Sequence, residues 1–242
     1  MIASLDTDTI TLLKSTNTAT LTTIMYKRGL QHTFLRGVGP LRGNSYRFVA
    51  PAFTVRTVAV REDKLELDRK LDLENPHNSV QRQSVERCPP GYVMAIEARG
   101  NAFGAVGGAI LYERMAIRGV AAVVTDGGCR DGFEIEHLGM PVYLSAVCPP
   151  PTYFAHRFVE MECPITIGEC AIYPGDYLVG DPDGVVVVPH EMAPQVAREA
   201  ADYDDMEDYV LKKIRAGAIV FGTYPLHGDE LARYRQEKSV SK

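Results

Sequence analysis

Residues 107–131 read GGAILYERMAIRGVAAVVTDGGCRD, and this stretch decides the fold class. Residues 109–118 carry apolar side chains at helical spacing, and Gly119 follows them as a helix-ending glycine. Residues 120–125 form a continuous apolar run, which is typical of a strand covered on both faces. A short helix and a second strand follow by residue 144. This alternation of helix and strand predicts an α/β layered core.

N-terminal to this stretch, the sequence predicts two short helices within residues 1–30, the second with Ser15 or Asn17 as its N-cap. Residues 47–61 are rich in Val, Phe and Thr and predict one or two strands. Pro51 places an edge or a bulge near the start of that strand region. The charged residues 62–87 predict an exposed excursion with a single helical turn.

C-terminal to it, short strands within residues 165–188 alternate with Pro-Gly-Asp and Asp-Pro-Asp turns and predict further β-structure on the same core. A long helix is predicted over residues 191–215, because its apolar residues follow the helical period. The predicted organisation is a single domain over residues 1–242, divided into N-terminal helices (1–30), an α/β core (45–190), a C-terminal helix with its extension (191–230) and a loose tail (231–242).

Composition excludes several classes of function. The net charge is −5 and the sequence pI is about 5.7, with no clustered basic stripe, so we expect no nucleic-acid partner. No apolar run is long enough to span a bilayer, so we expect no membrane partner. The five cysteines form no CxxC pair, which favours reduced thiols in a cytoplasmic protein.

Residues 126–131 (DGGCRD) fall where a buried strand ends and a helix begins, which is where α/β folds bind ligands. Arg130 presents a planar fork that suits the oxygens of a carboxylate or an enolate. Asp131 is a hard oxygen ligand of the kind that Mg²⁺ prefers. Alternatively, Asp131 caps the next helix and Arg130 forms a surface ion pair. Spacing alone leaves both interpretations open.

Residues 104–108 (GAVGG) form a glycine-rich loop before the helix predicted from Ala109. Such a loop can direct backbone N–H groups at an anion, with help from the helix dipole. It can equally be a tight turn that requires close packing. The segment matches neither a Walker A loop nor a GxGxxG fingerprint, so it predicts an anion site only weakly.

Glu207 occupies a gap in the apolar stripe of the long C-terminal helix. A carboxylate on an inward face is costly unless it is paired or hydrogen-bonded. Glu207 therefore either meets a cation or a polar network, or the packed face is rotated and uses Met206 instead.

Three stretches together resemble the family of the regulator of ribonuclease activity A (the RraA-like family), which includes the 4-hydroxy-4-methyl-2-oxoglutarate aldolases. They are residues 107–131, residues 173–191 (YPGDYLVGDPDGVVVVPHE) and residues 49–55 (VAPAFTV). The resemblance implies a swivelling β/β/α sandwich that assembles as a homotrimer or a hexamer. The N-terminal helical segment and the long C-terminal helix, which the sequence pattern predicts, add to that core.

The resemblance also implies a site. Arg130 corresponds to the arginine that holds the 2-oxo acid, and Asp131 to the aspartate that binds Mg²⁺ (or Mn²⁺) through water. Glu207 corresponds to a catalytic carboxylate supplied by the neighbouring subunit. The backbone implied to face the substrate is that of Gly108, Ala109, Ile110 and Leu111. Ala109 departs from the family, because the aldolases carry an acidic residue at this position.

The implied activity is that of a class II, metal-dependent pyruvate aldolase, which cleaves a 4-hydroxy-2-oxo acid to pyruvate and can decarboxylate oxaloacetate. One alternative is a non-catalytic regulator of ribonuclease activity that binds its target protein. Another is a Mg²⁺-dependent hydratase or dehydratase of sugar-derived 2-oxo acids. Ala109 favours the regulator, whereas Arg130 and Asp131 favour an enzyme.

Overall fold

The computed structural model describes residues 4–42 and 47–240 of the chain. Residues 1–3, 45–46 and 241–242 belong to predicted segments but lie outside the described residues. The helices are α1 (Thr7–Ser15), α2 (Thr18–Lys27), α3 (Glu62–Glu74), α4 (Val80–Arg87), α5 (Ala109–Ile117), α6 (Gly132–Glu136), α7 (Ala193–Arg215) and α8 (Gly228–Val240), with single 3-10 turns at Pro76–Asn78, Thr152–Phe154 and His190–Met192.

The strands are β1 (Gly39–Pro40), β2 (Phe48–Ala59), β3 (Val93–Glu97), β4 (Ala122–Thr125), β5 (Gly128–Cys129), β6 (Val142–Leu144), β7 (Ala146–Val147), β8 (His156–Met161), β9 (Ile165–Ile167), β10 (Cys170–Ile172), β11 (Tyr177–Asp181) and β12 (Gly184–Val188). The main sheet has the order β1-β6-β4-β3-β2-β11-β12, and β8 pairs with the second half of β2. Strands β2, β3, β4 and β6 are parallel, and the others join them antiparallel.

One short segment, residues 33–40, connects the two edges of this sheet. Its first part pairs with β12, since the Val187 N–H donates to Thr33 O (2.7 Å) and the Leu35 N–H donates to Val185 O (3.0 Å). Its last part is β1, which pairs with β6. The sheet is therefore nearly closed into a barrel, and neither edge is left open along this segment.

Side chains of the parallel strands alternate between two buried clusters. Met94 and Val123 pack with Tyr112 and Ile135 beneath α5 and α6, whereas Val93 faces the interior with the β9–β10 hairpin. Both faces of these strands are covered, which confirms the prediction from the continuous apolar run. The third cluster holds α1, α2 and α7 against β11 and β12.

The charged segment at residues 62–87 differs from its prediction, because it is mostly helical rather than an excursion with a single turn. It forms α3, a 3-10 turn and α4. Asp72 on α3 is 6% exposed and accepts a hydrogen bond from Arg157 (2.9 Å) and a very short one from Tyr153. These partners lie far along the chain, so tertiary contacts rather than an apolar period fix the segment.

Strand β2 lies inside the sheet, so Pro51 is not on an edge strand. Only the β3 side of β2 is unpaired at Pro51. The Ala52 N–H donates to Asp176 O (2.8 Å) on the β11 side, which places the Pro51 nitrogen on the opposite side. Pairing with β3 begins only at Ala52, so no ladder hydrogen bond is lost. The bulge of β2 lies further on, between Arg56 and Thr57.

The C-terminal region also differs from its prediction, since α8 occupies most of the segment expected to be loose. Polar contacts hold it to α7: Lys213 pairs with Glu230 and Lys238 donates to Asp202 (3.0 Å). Among the described residues, no helix combines the length and the apolar character needed to cross a membrane.

Candidate functional site

Asp126 organises the carboxyl ends of β3 and β4. Its side chain is 6% exposed and accepts hydrogen bonds from the Ala98 N–H (2.6 Å) and the Gly100 N–H (2.7 Å). Gly127 follows where the two strand ends approach closely, because an added Cβ there would lie 2.5 Å from Ala98 Cβ. The sequence indicated only a turn at this position, so the anchoring role of Asp126 is new.

Arg130 and Asp131 lie together at this edge of the sheet, with about half of each side chain exposed. Arg130 Nε is 3.5 Å from Asp131 Oδ1, and Asp131 Oδ2 accepts a hydrogen bond from the Ala109 N–H (3.1 Å). Asp131 has left-handed backbone (φ 58°) and makes no capping hydrogen bond to α6. Its carboxylate is thus turned away from the helix it precedes and towards the first turn of α5.

Gly108 makes this arrangement possible. A Cβ at Gly108 would lie 2.5 Å from Asp131 Oδ2 and 2.7 Å from Arg130 Cγ. Its backbone is extended (φ −132°, ψ −175°), so the requirement for glycine is space rather than backbone conformation. The Arg130 N–H also donates to Gly107 O (3.1 Å). The glycine-rich loop is therefore packed directly against the Arg130–Asp131 pair.

The first turn of α5 faces this pair. The first N–H groups of a helix have no intrahelical acceptor and attract negative charge. The Ala109 N–H meets Asp131, while the Leu111 N–H donates to Gly108 O (3.0 Å). The Leu111 N–H is therefore paired within this turn. Ile110, whose side chain is 85% exposed, lies at the outer surface of this turn.

Glu207 is not brought to this edge within the chain. It is half-buried on α7, lies beside the Tyr203 hydroxyl, and borders an apolar groove of about 310 Å³ with Tyr224. Burial raises the pKa of Glu207, and the nearby Asp204 carboxylate adds to this rise. Glu207 therefore has a polar neighbour, and Met206 next to it is half-buried as well.

Two buried side chains beside the site are poor candidates for direct chemistry. Burial raises the pKa of Cys129 to about 12, so its thiol is a weak nucleophile at neutral pH. Burial lowers the pKa of His156, whose Nε2 lies 2.9 Å from Gly104 O. His156 therefore fastens the glycine-rich loop in its neutral form.

The donor set around Asp131 fits a hydrated magnesium ion rather than a metal cage. Mg²⁺ commonly keeps several waters and uses only one or two carboxylates. The Asp131 side chain is 38% exposed, so its carboxylate is open to such an ion on its solvent side. Within residues 4–42 and 47–240, no three His, Cys, Asp or Glu side chains are grouped to hold a metal.

A cavity of about 700 Å³ adjoins the site along α6. It is lined by Gly132, Phe133 and Glu136 on one side and by Arg42 and Ser145 on the other. Its size suits a small organic ligand. Gly132 directly follows Asp131 in the chain, so the cavity begins one residue from the Arg130–Asp131 pair.

The fold and this edge define an α/β protein in which a paired arginine and aspartate face a helix N-terminus. The chain belongs to the RraA-like family, because the family model described as Aldolase/RraA matches residues 18–187. This confirms the family identification made from the sequence.

Among related proteins, some are named as putative aldolases and others are uncharacterized. A Halalkalibacterium halodurans protein named "Putative 4-hydroxy-4-methyl-2-oxoglutarate aldolase" is 29% identical over 135 residues, which are 54% of this chain and 62% of that protein. An uncharacterized Methanocaldococcus jannaschii protein is 34% identical over 116 residues, which are 47% of this chain and 54% of that protein. The chain thus spans somewhat more than half the length of these two relatives.

Solved structures agree on the fold. An uncharacterized protein from Pseudomonas syringae superposes with a TM-score of 0.75 at 21% identity, covering 91% of this chain and 98% of that one. Streptomyces coelicolor RraAS2, described as an unusual member of the RNase ES inhibitor RraA protein family, superposes with a TM-score of 0.74 at 24% identity, covering 86% and 98%. These likenesses confirm the predicted fold class.

Proposed function

We propose that this chain is a divalent-metal-dependent lyase that cleaves a C–C bond in a 4-hydroxy-2-oxo acid and releases pyruvate. The observation that supports it is the Gly108–Arg130–Asp131 arrangement. Gly108 admits both side chains to the first turn of α5, and Asp131 adopts left-handed backbone without capping α6. A structural cap or a surface ion pair would need neither feature.

Substrate binding follows from the chemistry of these groups. The Arg130 guanidinium can pair with the carboxylate and 2-oxo oxygens at one end of the substrate. The N-terminus of α5 adds the positive end of a helix dipole on the same side. Asp131 would hold Mg²⁺ or Mn²⁺ through water, and the ion supplies, when bound, positive charge beside the 2-oxo group.

Cleavage then places negative charge where these groups are aimed. A base removes the proton from the C4 hydroxyl, the C3–C4 bond breaks, and its electron pair becomes the enolate of pyruvate. Arg130 and the α5 terminus stabilise this enolate, which takes a proton at C3 to form pyruvate. Oxaloacetate would lose CO₂ through the same enolate, so decarboxylation is a second expected activity.

Ala109 cannot act as the base, and Glu207 is our candidate for that role from a second copy of the chain. Its raised pKa suits proton transfer near neutral pH better than that of an ordinary carboxylate. Exposed apolar side chains border both regions, namely Ile110 and Phe133 near the site and Val220 in the groove beside Glu207. Apolar surface of this kind marks association sites, which supports a homo-oligomer.

The test is pyruvate release by the purified protein, with Mg²⁺, with Mn²⁺ and after EDTA. The substrates are oxaloacetate, 4-hydroxy-4-methyl-2-oxoglutarate and a panel of 4-hydroxy-2-oxo sugar acids. We expect release that EDTA abolishes. Arg130→Ala should lower kcat by about 10²–10³, the usual cost of one lost oxyanion donor. Arg36→Ala is the matched control, because Arg36 is an exposed arginine paired with Glu169 elsewhere.

Two outcomes would contradict the proposal. One is Arg130→Ala turning over at the wild-type rate. The other is a folded, oligomeric protein that releases no pyruvate from any substrate. The second result would favour the regulator interpretation, which Ala109 supports, and would call for a pull-down of the protein against ribonuclease E-type enzymes. It would also leave open a hydratase or dehydratase, which a dehydration assay on sugar-derived 2-oxo acids would detect.

A further inference from the structure

We infer that Gln81, on the helical segment at residues 62–87, is a positioning residue for the candidate site. It acts by holding the glycine-rich loop in the place that Gly108 and Arg130 require. The inference rests on the proposed function for its kinetic consequence, whereas its structural consequence can be measured without any activity.

The loop segment at residues 105–107 behaves as a short strand beside β5. The Val106 N–H donates to Gly128 O (2.8 Å), and the Arg130 N–H donates to Gly107 O (3.1 Å). Ala105 forms an isolated parallel bridge with Gly128. On this side, backbone hydrogen bonds therefore fix the loop to β5 and to Arg130, the residue that follows it.

Gln81 closes the other side of the same segment. Its carboxamide Nε2 donates to Val106 O (2.7 Å) and to Thr152 Oγ1 (3.1 Å). Val106 is 2% exposed, so its carbonyl lies in a largely buried setting where loss of a partner is costly. Gln81 thus links α4 to the loop and to the 3-10 turn at Thr152–Phe154 at once.

A second anchor fixes α3, which precedes α4, to the same 3-10 turn. The Tyr153 hydroxyl donates a very short hydrogen bond to Asp72, and Arg157 Nη1 donates to the same carboxylate (2.9 Å). Arg82, next to Gln81, donates to Asp72 O (2.8 Å). The helical segment is therefore held rigidly enough for Gln81 to act as a fixed support.

Gln81 affects the site through the Val106 carbonyl. Gly108 and Ala109 follow Val106 by two and three residues, and their backbone sets the distance from α5 to Asp131. If Val106 O loses its partner, the loop can move away from β5 and carry the first turn of α5 with it. Displacements near 1 Å at a catalytic centre can cost about 10²-fold in rate.

The experiment compares Gln81→Met with Gln83→Met in the full-length protein. Both residues lie on α4, and each donates one short hydrogen bond to a main-chain carbonyl, since Gln83 Nε2 donates to His77 O (2.6 Å). Only Gln81 touches the loop. Gln81→Glu is added because it keeps the side-chain length and can still accept from Thr152, but it cannot donate to Val106 O.

Two readouts are needed. Hydrogen–deuterium exchange of peptides spanning residues 105–112 should increase in Gln81→Met and Gln81→Glu and stay at the wild-type level in Gln83→Met. With oxaloacetate and Mg²⁺, kcat and kcat/KM should fall together by about tenfold in both Gln81 variants. The melting temperature should fall more in Gln81→Met than in Gln83→Met, because Gln81→Met loses two part-buried hydrogen bonds and Gln83→Met loses one exposed hydrogen bond.

Unchanged exchange at residues 105–112 in Gln81→Met, or an equal change in Gln83→Met, would overturn the inference. So would increased exchange in Gln81→Met with wild-type kcat, since the loop position would then not matter for turnover. If the wild-type protein itself releases no pyruvate, the proposed function fails, and the exchange contrast alone decides whether Gln81 positions the loop.

Discussion

Arg130 and Asp131 are held in the chain in a different way from Glu207. The pair lies against a loop fixed by backbone hydrogen bonds on one side and by Gln81 on the other. Glu207 lies on an outer turn of α7, where Tyr203 is its polar partner and an apolar groove is its surroundings. The Asp131 carboxylate is therefore fixed by contacts within the fold, whereas the Glu207 carboxylate lies on a helix surface.

The surface near Glu207 is rich in exposed apolar side chains. Near Glu207, the residues after α7 expose Ile219 (70%), Val220 (58%) and Phe221 (89%). Such apolar surface is costly in water and is typical of a region that another protein covers. The contrast motivates our proposal that one chain provides Arg130 and Asp131 and that a second copy provides Glu207.

The largest effect that tests this comparison is on turnover by mixed oligomers. Glu207→Gln should lower kcat by about 10²–10⁴, the usual contribution of a general base. Arg130→Ala should be impaired in the other half of the site. After subunit exchange between the two variants, some sites would combine an intact Arg130 with an intact Glu207. We expect the mixture to recover part of the wild-type pyruvate release.

Failure to recover activity would break the comparison, provided that mixed oligomers are shown to form by mass spectrometry of isotope-labelled subunits. Glu207 would then act within its own chain or not at all. The matched control is Glu191→Gln, because Glu191 is a highly exposed carboxylate in the turn before α7. That variant should retain wild-type turnover.

A smaller effect tests how tightly the fold places the pair. Gly108→Ala should lower kcat/KM by about 10²-fold, because its Cβ would lie 2.5 Å from Asp131 Oδ2 and must displace one side chain. Steady-state kinetics of Gly108→Ala and the wild-type protein would decide the point. Equal kinetics would show that the pair tolerates displacement and is less strictly held than the structure indicates.

The sequence predicted where Arg130 and Asp131 lie in the fold. The helix at α5, the buried run of β4 and the glycines that end these elements follow local rules of period and capping. Arg130 and Asp131 fall at a strand end, so topology alone places them at a ligand-binding edge. Their orientation could not be predicted, because it depends on the left-handed backbone of Asp131 and on the space beside Gly108.

The features missed from the sequence depend on contacts between distant residues. The helices at residues 62–87 have no clear apolar period, and Asp72 reaches partners more than eighty residues away. Helix α8 is held by ion pairs such as Lys213–Glu230, whose two members show no local pattern. Gln81 is one of several polar residues on α4, and nothing in its neighbourhood marks it as the donor to Val106 O.

The smallest effect concerns stability, and it separates a functional carboxylate from a structural one. Burial raises the pKa of Glu207 above its ordinary value of 4.5, so the folded chain binds this proton more tightly than the unfolded chain. The stability contributed by protonated Glu207 is present below the unfolded pKa and is lost as pH rises through the folded pKa. At neutral pH the wild-type protein therefore carries the cost of a partly desolvated charge.

Glu207→Gln removes that cost and keeps an acceptor for the Tyr203 hydroxyl. Because the side chain is only half-buried, solvent screening limits the expected gain in the free energy of unfolding at pH 7 to about 0.5 kcal/mol. The gain should disappear as pH falls below 4.5, which urea unfolding at both pH values would reveal. A variant that is more stable yet less active indicates a residue retained for function. If Glu207→Gln instead lowers stability at pH 7, the carboxylate holds α7 in place, and its role in the site loses its support.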